Sequence, residues 1–324
     1  MLKHLLISMG LTLIFTPILI YITMSFRLFD HPSERRINSY PVPTAGGLAI
    51  YFAFFITALF QGAENLVPYF VGGTIIIITG LIDDYRGLSA GIKFFGQVVA
   101  VAAFLWLNPS SNYIISALWM LSVINIINFI DGLDGLAGGI ILIASTALFT
   151  WIYGTSCQNI GGLLLIFIGA NVGFLVFNFN PARIFLGDTG AMLIGFLFAA
   201  LANNSVLTGD IMFNLPILVL ILAVPTIDTF CAIVRRLQQG IPIYKADKQH
   251  FHHRLLELGL SQRQVALCGY MLTLVSSATA LVLVKNNSWN QFIILPVIAV
   301  VLLYGAVKIG MIKPLVVKSQ RRVL

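Results

Sequence analysis

The sequence predicts an all-α polytopic membrane protein of about eleven transmembrane helices, with the N-terminus outside and the C-terminus cytoplasmic. Three observations predict it. Hydrophobic residues make up 58% of the 324 and charged residues only 10%, whereas a soluble domain of this length is about a quarter charged. The apolar residues recur in blocks of about 15 to 22, the length that spans a bilayer as a helix. The cationic residues fall almost entirely between alternate blocks, as the positive-inside rule requires of cytoplasmic loops.

The candidate spans lie near 5–26, 46–61, 67–82, 93–107, 113–128, 136–153, 160–177, 189–203, 213–234, 264–284 and 291–309. The first carries no Lys, Arg, Asp or Glu, has only Lys3 as a basic flank and lacks a small-residue cleavage pattern. It therefore reads as a retained helix, not a signal peptide. The longest hydrophilic piece is Arg235 to Arg263, so residues 1–324 read as one integral-membrane domain without an internal repeat. With eleven spans, the segments 27–45, 83–92, 129–135, 178–188, 235–263 and 310–324 share one side. Counting the span-edge residues Lys93 and Lys308, that side holds every Lys and Arg except Lys3 and Lys285, which makes it cytoplasmic. The net charge of +7 is thus a topology signal and an affinity for anionic headgroups, not a nucleic-acid footprint. Cys157, Cys231 and Cys268 show no paired spacing, which gives neither a disulfide framework nor a zinc site.

The same parity sorts the acids. Asp30, Glu34, Asp83, Asp84, Asp131, Asp134, Asp188, Asp228, Asp247 and Glu257 fall on the cytoplasmic side, and Glu64 and Asp210 on the other. In LIDDYRG, at the end of the third span, Asp83 and Asp84 sit at a helix C-terminus, where the dipole favours cations. Two adjacent carboxylates there also repel each other, and a divalent cation or a shared proton would relieve that. In NFIDGLDG, Asn125, Asn128, Asp131 and Asp134 recur every three residues, a stripe that drifts by about 60° per step on an α-helix. Gly132 and Gly135 place the helix end near Asp131, with a tight loop after it. A polar turn is the plain alternative, but an unpaired Asn128 at the membrane edge would be costly.

The third site is FNFNPARIFLGDTGAM, with Asn178, Asn180, Arg183 and Phe185. Asp188 and Thr189 stand at the start of a span, where an Asp would N-cap the helix. The fourth is PTIDTFCAIVRRL followed by KADKQHFHHRLLELGLSQRQ. Asp228 lies two turns from Arg235 on one helix face, which reads as an ion pair or a short polar relay. His250, His252, His253 and Arg254 lack the HExxH pattern of a zinc site and fit a basic, hydrogen-bonding cluster for phosphate. Carboxylates for a hard cation and basic donors for anionic oxygens together suit a Mg²⁺-dependent phosphoryl transfer. A soluble nucleotide and a lipid phosphate entering from the bilayer would meet at such a surface.

These four sites in this order resemble the polyprenyl-phosphate N-acetylhexosamine-1-phosphate transferases, glycosyltransferase family 4. DDYRG, NFIDGLDG, RIFLGDTG and the histidine loop carry the resemblance jointly. It implies transfer of GlcNAc-1-phosphate from UDP-GlcNAc to undecaprenyl phosphate or another polyprenyl phosphate, releasing UMP, with Mg²⁺ (Mn²⁺ as a substitute) as cofactor. The active site, facing the cytoplasm of a bacterial inner membrane, would be built from loops 27–45, 83–92, 129–135, 178–188 and 235–263. Asp188 matches the family's Mg²⁺ ligand. Asp83 and Asp84 match the pair assigned to metal binding or to deprotonating the lipid phosphate. Asp131 and Asp134, with Asn128, match the catalytic nucleotide-side loop, Asn178 an Asn near the diphosphate, Phe185 the aromatic under the uracil, and Lys93 a phosphate-contacting lysine. His250, His252, His253 and Arg254 match the loop that holds diphosphate or sugar. Direct attack by the lipid phosphate and a covalent aspartyl intermediate both fit the sequence. A homodimer is compatible with the resemblance, and nucleic acid is excluded as a partner.

Within this superfamily the histidine loop points to GlcNAc. Phospho-MurNAc-pentapeptide transferases carry adjacent histidines followed by an acid, whereas here Phe251 splits the histidines and Arg254 follows. That pattern resembles the enzymes that initiate enterobacterial-antigen and teichoic-acid synthesis; the pentapeptide transferase, or a transferase of another UDP-N-acetylhexosamine, is the alternative. A cation-coupled transporter, the rival from another class, needs ionisable groups near the midplane at broken helices, and the spans read as almost uninterrupted. Intramembrane prenyltransferases would show DxxxD spacings that DDYRG lacks.

Overall fold

The computed structural model describes residues 2–25, 29–30, 41–108, 112–153, 157–206, 211–242, 249–286 and 291–312. Among them the regular structure is helical apart from one ribbon of two two-residue strands. In order the elements are α1 (Leu2–Ser25), β1 (Phe29–Asp30), β2 (Val42–Pro43), α2 (Gly47–Phe60), α3 (Val67–Arg86), α4 (Ala90–Leu107) and α5 (Tyr113–Ile130). They continue with α6 (Leu136–Ile152), α7 (Gln158–Asn178), α8 (Gly187–Ser205), α9 (Ile211–Ile221) and α10 (Ala223–Gln238). The last are α11 (Phe251–Glu257), α12 (Gln262–Asn286) and α13 (Gln291–Lys308). β1 pairs antiparallel with β2, Phe29 opposite Pro43. Glu34, Asp210, Lys245, Asp247 and the basic tail lie outside the described residues.

All eleven apolar blocks are helical. Among the described residues six helices (α1, α3, α4, α5, α7 and α12) are long and apolar enough to cross a membrane, and the bent pair α9–α10 makes a seventh if it forms one span. Helices α2 and α6 and the Pro296–Lys308 part of α13 are apolar but shorter. α8 is enclosed by protein rather than lipid. Every residue from Thr189 to Asn203 is buried, with α2, α3, α5, α6 and α7 packed around it. The approach is close because small residues line it. A Cβ at Gly47 would overlap the Gly190 backbone, and one at Gly80 the Thr189 backbone. These two contacts press the first turn of α8 against α2 and the end of α3, so they set where Asp188 sits.

One block departs from the sequence reading. The span 213–234 is broken at Leu222, where α9 and α10 meet at 86°. Pro225 has no N–H for the Ile221 carbonyl and is tolerated only in a helix's first turn, so the chain breaks just before it. The claim of uninterrupted spans therefore fails for this segment, and the break swings Asp228 out of the line of α9.

α1 packs along α7 through Ser8, Thr12 and Thr16, buried one turn apart, against Gly169 and Gly173. The hydroxyls of Thr12 and Thr16 donate to the carbonyls one turn back at 2.9 and 2.7 Å, which satisfies these two donors at a small-residue interface; the buried Ser8 hydroxyl has no hydrogen-bond partner among the described residues. The start of α1 lies beside the start of α7, where Glu64 accepts from Asn159 at 3.0 Å. Asn178, at the other end of α7, belongs to the polar cluster described below. Glu64 is thus separated from the aspartates by the length of the bundle, as parity requires.

Gly80→Val should overpack the α3–α8 contact and cost about 1–3 kcal/mol, read as a lower unfolding midpoint in detergent together with reduced turnover. An unchanged midpoint would show that the two helices are free to separate.

Candidate active site

The adjacent aspartates at the end of α3 meet different partners. α3 stops at Gly87, whose φ of 67° is left-handed and suits glycine. The turn is closed by the Leu88 N–H donating to Asp83 Oδ1 at 2.7 Å. Asp83 Oδ2 lies 2.8 Å from Lys93 Nζ, one turn into α4, and Lys93 also bonds Asp188 Oδ1. Asp84 faces the start of α8. Its Oδ1 accepts from the Asp188 N–H at 2.8 Å, and its Oδ2 from the Thr189 N–H at 3.2 Å and the Thr189 hydroxyl at 2.6 Å. The first N–H groups of a helix lack intrahelical partners and carry partial positive charge. A carboxylate that is disfavoured at the end of its own helix therefore caps the neighbouring one. Asp188 is not the N-cap: α8 begins at Gly187, after Leu186, and the Asp188 side chain is turned to Lys93.

α5 ends at Ile130 and Asp131 follows as its C-cap. The Asp131 carboxyl has no hydrogen-bond partner among the described residues. Burial, then the charges of Asp188, Asp84 and Asp134, push it up to about 8. Asn128, half-buried one turn earlier, is likewise unpartnered. Asp134 and Asn178 are committed. Asp134 Oδ2 accepts from the Asn180 side chain at 2.8 Å and the Ala182 N–H at 3.0 Å. Asn178, buried, accepts from the Gly135 N–H at 3.1 Å and donates to the Ile184 carbonyl at 2.9 Å. These two residues staple the NFIDGLDG loop to the segment before α8; Asp134, expected to be catalytic, and Asn178, expected near the diphosphate, are bonded within the protein here. Tyr270 completes the staple by donating to the Gly135 carbonyl at 2.7 Å. Gln262 and Arg263 hold Asn180 from the start of α12. None of these three was foreseen, because a lone Tyr in an apolar span and a Gln–Arg pair in a loop carry no local signal of a partner so distant in sequence.

Phe185 is half-buried on a strand-like stretch. Its N–H donates to the Pro43 carbonyl at 2.9 Å and its carbonyl accepts from the Gly46 N–H at 3.0 Å, which ties the PVPTAGG arm to the site. One turn deeper than Lys93 and Asp188, Gln97 donates to the Met192 sulfur at 3.3 Å and accepts from Asn125 at 2.7 Å.

The histidine loop docks through Asp228, which is 2.7 Å from His250 Nδ1 and accepts from the Phe251 N–H at 2.7 Å. The expected Asp228–Arg235 relay gives way to this contact, and Arg235 donates to the Met311 carbonyl at 2.6 Å. His252 rests on the NFIDGLDG loop: a Cβ at Gly132 would overlap its ring. Burial, then the neighbouring His253, pushes His252 down to about 3. His253 lies 4.3 Å from His252 between ring centroids, and Arg254 Nη1 donates to Glu257 at 2.7 Å.

A family model described as glycosyl transferase family 4 matches residues 66–206, the segment from α3 to α8 that carries all the site carboxylates except Asp228. A probable undecaprenyl-phosphate N-acetylglucosaminyl 1-phosphate transferase of Bacillus subtilis is 32% identical over 309 residues, 89% of this chain and 86% of its own length. The chain belongs to glycosyl transferase family 4. A decaprenyl-phosphate N-acetylglucosaminephosphotransferase of Mycobacterium leprae is 34% identical over 74% of this chain and 73% of its own. A phospho-N-acetylmuramoyl-pentapeptide-transferase of Oceanobacillus iheyensis is 27% identical over 78% and 87%. The protein is accordingly an enzyme, a transferase of substituted phosphate groups.

For this family 4 enzyme the donor set fits a hard divalent cation. Asp131 is unpartnered and repelled by its neighbours, and Asp188 keeps one oxygen free of hydrogen bonds. Among the described residues no group of three or more His, Cys, Asp or Glu is placed to hold a metal ion. Carboxylate oxygens are the donors of a hard cation such as Mg²⁺, whereas zinc favours nitrogen and sulfur. The Asp84 oxygens, assigned from the sequence to the metal, are taken up by the start of α8.

Asn178→Ala should leave the Gly135 N–H and the Ile184 carbonyl buried and unpaired, costing about 1–3 kcal/mol. The expected result is a lower unfolding midpoint with partly retained turnover; lost turnover at an unchanged midpoint would mark a direct substrate contact. Because the folded His252 stays neutral down to about pH 3 while a free histidine takes a proton near 6.5, acid favours the undocked loop. The contribution of neutral His252 to docking is fully present above about pH 6.5 and declines progressively between there and pH 3. Limited proteolysis of the loop at pH 7.5 and 5 checks this, with His252→Gln expected to remove the acid sensitivity.

Proposed function

We propose that this enzyme transfers GlcNAc-1-phosphate from UDP-GlcNAc to a polyprenyl phosphate, undecaprenyl phosphate in a bacterial plasma membrane, and releases UMP. The observation that carries the proposal is the unpartnered Asp131 carboxyl beside Asp188 and Asp84, flanked by Lys93 and the histidine loop. That is a cation site next to donors for phosphate oxygens. The names of the relatives at 32 and 34% identity support the sugar and the lipid acceptor. The concentration of Lys and Arg on the site's side of the membrane supports a cytoplasmic site.

In this reading an oxygen of the lipid phosphate attacks the β-phosphorus of the nucleotide sugar. The bond from that phosphorus to the bridging oxygen breaks, and UMP leaves with the electron pair. Asp188 and Asp131 would hold Mg²⁺, which would supply positive charge against the diphosphate. Asp84 keeps α8 in register so that Asp188 is presented. Lys93, held between Asp83 and Asp188, is available to a phosphate oxygen when the anionic substrates enter. Asn128 and Phe185 take the uridine, and His250, His253 and Arg254 the diphosphate and sugar. Splitting of the histidines by Phe251, with Arg254 after them, favours GlcNAc over a MurNAc-pentapeptide.

The test is UMP release by the purified protein with undecaprenyl phosphate, Mg²⁺ and a panel of UDP-sugars. Turnover is expected with UDP-GlcNAc, none with UDP-MurNAc-pentapeptide, and a loss of several powers of ten, ~4 kcal/mol or more, in Asp188→Asn. Turnover of the pentapeptide donor alone would overturn the sugar assignment; an active Asp188→Asn with unchanged Mg²⁺ dependence would overturn the metal assignment.

A further inference from the structure

Asp228 is 1% exposed and spends both carboxylate oxygens on one loop. Oδ2 meets His250 Nδ1 at 2.7 Å, and Oδ1 accepts from the Phe251 N–H at 2.7 Å. An ionised carboxylate can only accept, so the proton of this contact sits on Nδ1, and Nε2 is the ring nitrogen left for a ligand. Nε2 has no hydrogen-bond partner among the described residues, and His250 is buried but not fully enclosed, at 7% exposed. The His250 ring stacks on that of His252, with centroids 5.9 Å apart and planes 4° from parallel. His252 in turn lies on Gly132, next to Asp131. The loop bond through Phe251 sets where His250 stands, and the bond through Nδ1 sets its rotation. Capping α11 needs only the first of these.

We infer that Asp228 is a positioning residue for the transfer: it accepts from His250 Nδ1–H and offsets the charge of the ring when Nε2 is protonated as well, so that the Nε2–H is aimed to donate to the phosphate oxygens of the nucleotide-sugar donor. The break between α9 and α10 serves this arrangement, because it swings Asp228 to the loop while α9 continues the bundle. The inference rests on the proposed function for the identity of the donor, but its geometry can be tested apart from it.

The experiment uses the full chain in nanodiscs and compares Asp228→Asn, Asp228→Ala, His250→Asn, His250→Gln and the double variant Asp228→Asn/His250→Asn. An Asn at 250 keeps an N–H near the Nδ1 position but has nothing at Nε2, whereas a Gln reaches the Nε2 position and abandons Asp228. We expect Asp228→Asn and His250→Asn each to lower kcat for UMP release by ~10- to 100-fold, as orienting carboxylates behind a histidine do, with a smaller change in KM. The double variant should lose no more than the worse single one, and His250→Gln should recover part of the loss. In ¹⁵N-histidine-labelled protein the His250 signal, assigned by its absence in His250→Asn, should show the proton on Nδ1 and lose that signature in Asp228→Asn. Wild-type turnover in Asp228→Asn, losses that multiply in the double variant, or proteolysis of the loop in Asp228→Asn as rapid as in Asp228→Ala would each overturn the inference, the last by reducing Asp228 to a helix cap. If the wild-type chain releases no UMP from any UDP-sugar, the proposed function falls, and the ¹⁵N signature still decides whether Asp228 sets the His250 tautomer.

Discussion

The carboxylate of Asp84 on the first turn of α8 is the contact on which the site depends. α8 is the axis of the bundle, buried from Thr189 to Asn203, and its N-terminus opens directly into the polar cluster. A helix end in that setting has N–H groups that neither lipid nor its own turn can satisfy. Asp84 supplies the acceptor, and the dipole of α8 offsets the unfavourable position of that carboxylate at the end of α3. The same contact sets the distance between α3 and α8, which allows Lys93 to reach both Asp83 and Asp188. One interaction thus serves helix capping, helix packing and the placement of the Asp188 carboxylate.

Around this contact the loops are held by side chains from other loops more than by their own turns. Asn178 and Asp134 join the NFIDGLDG loop to the segment before α8, Tyr270 and Gln262 secure it from α12, and the Pro43–Gly47 arm secures Phe185 from the other side. Each polar atom spent this way is unavailable to substrate. What remains unspent is informative: Asp131, Asn128, one oxygen of Asp188 and His250 Nε2. These groups are left free while Asp83, Asp84, Asp134 and Asn178 are spent on the scaffold, a preorganised site in which charge need not be rearranged when anionic substrates arrive.

The broken helix between α9 and α10 adds the fourth wall. A straight span would have carried Asp228 along the bundle as an isolated buried carboxylate, which is costly in a membrane. Bent at 86°, the segment turns that carboxylate toward the histidine loop and spends its charge on two donors there. Broken helices in membrane proteins also serve ion transport; here the carboxylate on the break is fully bonded to a loop beside a phosphotransferase site.

The amino-acid sequence by itself determined the helical blocks, the gathering of the acids and histidines at one face, and the four segments that form the site. These follow from local quantities: apolar run length, the side on which each charge falls, and motif chemistry. Asp83, Asp84, Asp131, Asp188 and the histidines were legible on that basis, since a carboxylate pair at a helix end or between two spans is anomalous in its own neighbourhood. The tertiary structure alone decided which of them are free and which are committed. Asn178 and Asp131 look alike as polar residues near a membrane edge, yet one is bonded at both ends and the other at neither. Tyr270, Gln262 and the Asp228–His250 pair could not be read at all, because their meaning depends on partners brought close only by packing. Hydrogen bonds are short and directional, so whether a polar side chain holds the fold or faces a substrate is settled within an ångström or so, a scale that sequence spacing does not resolve.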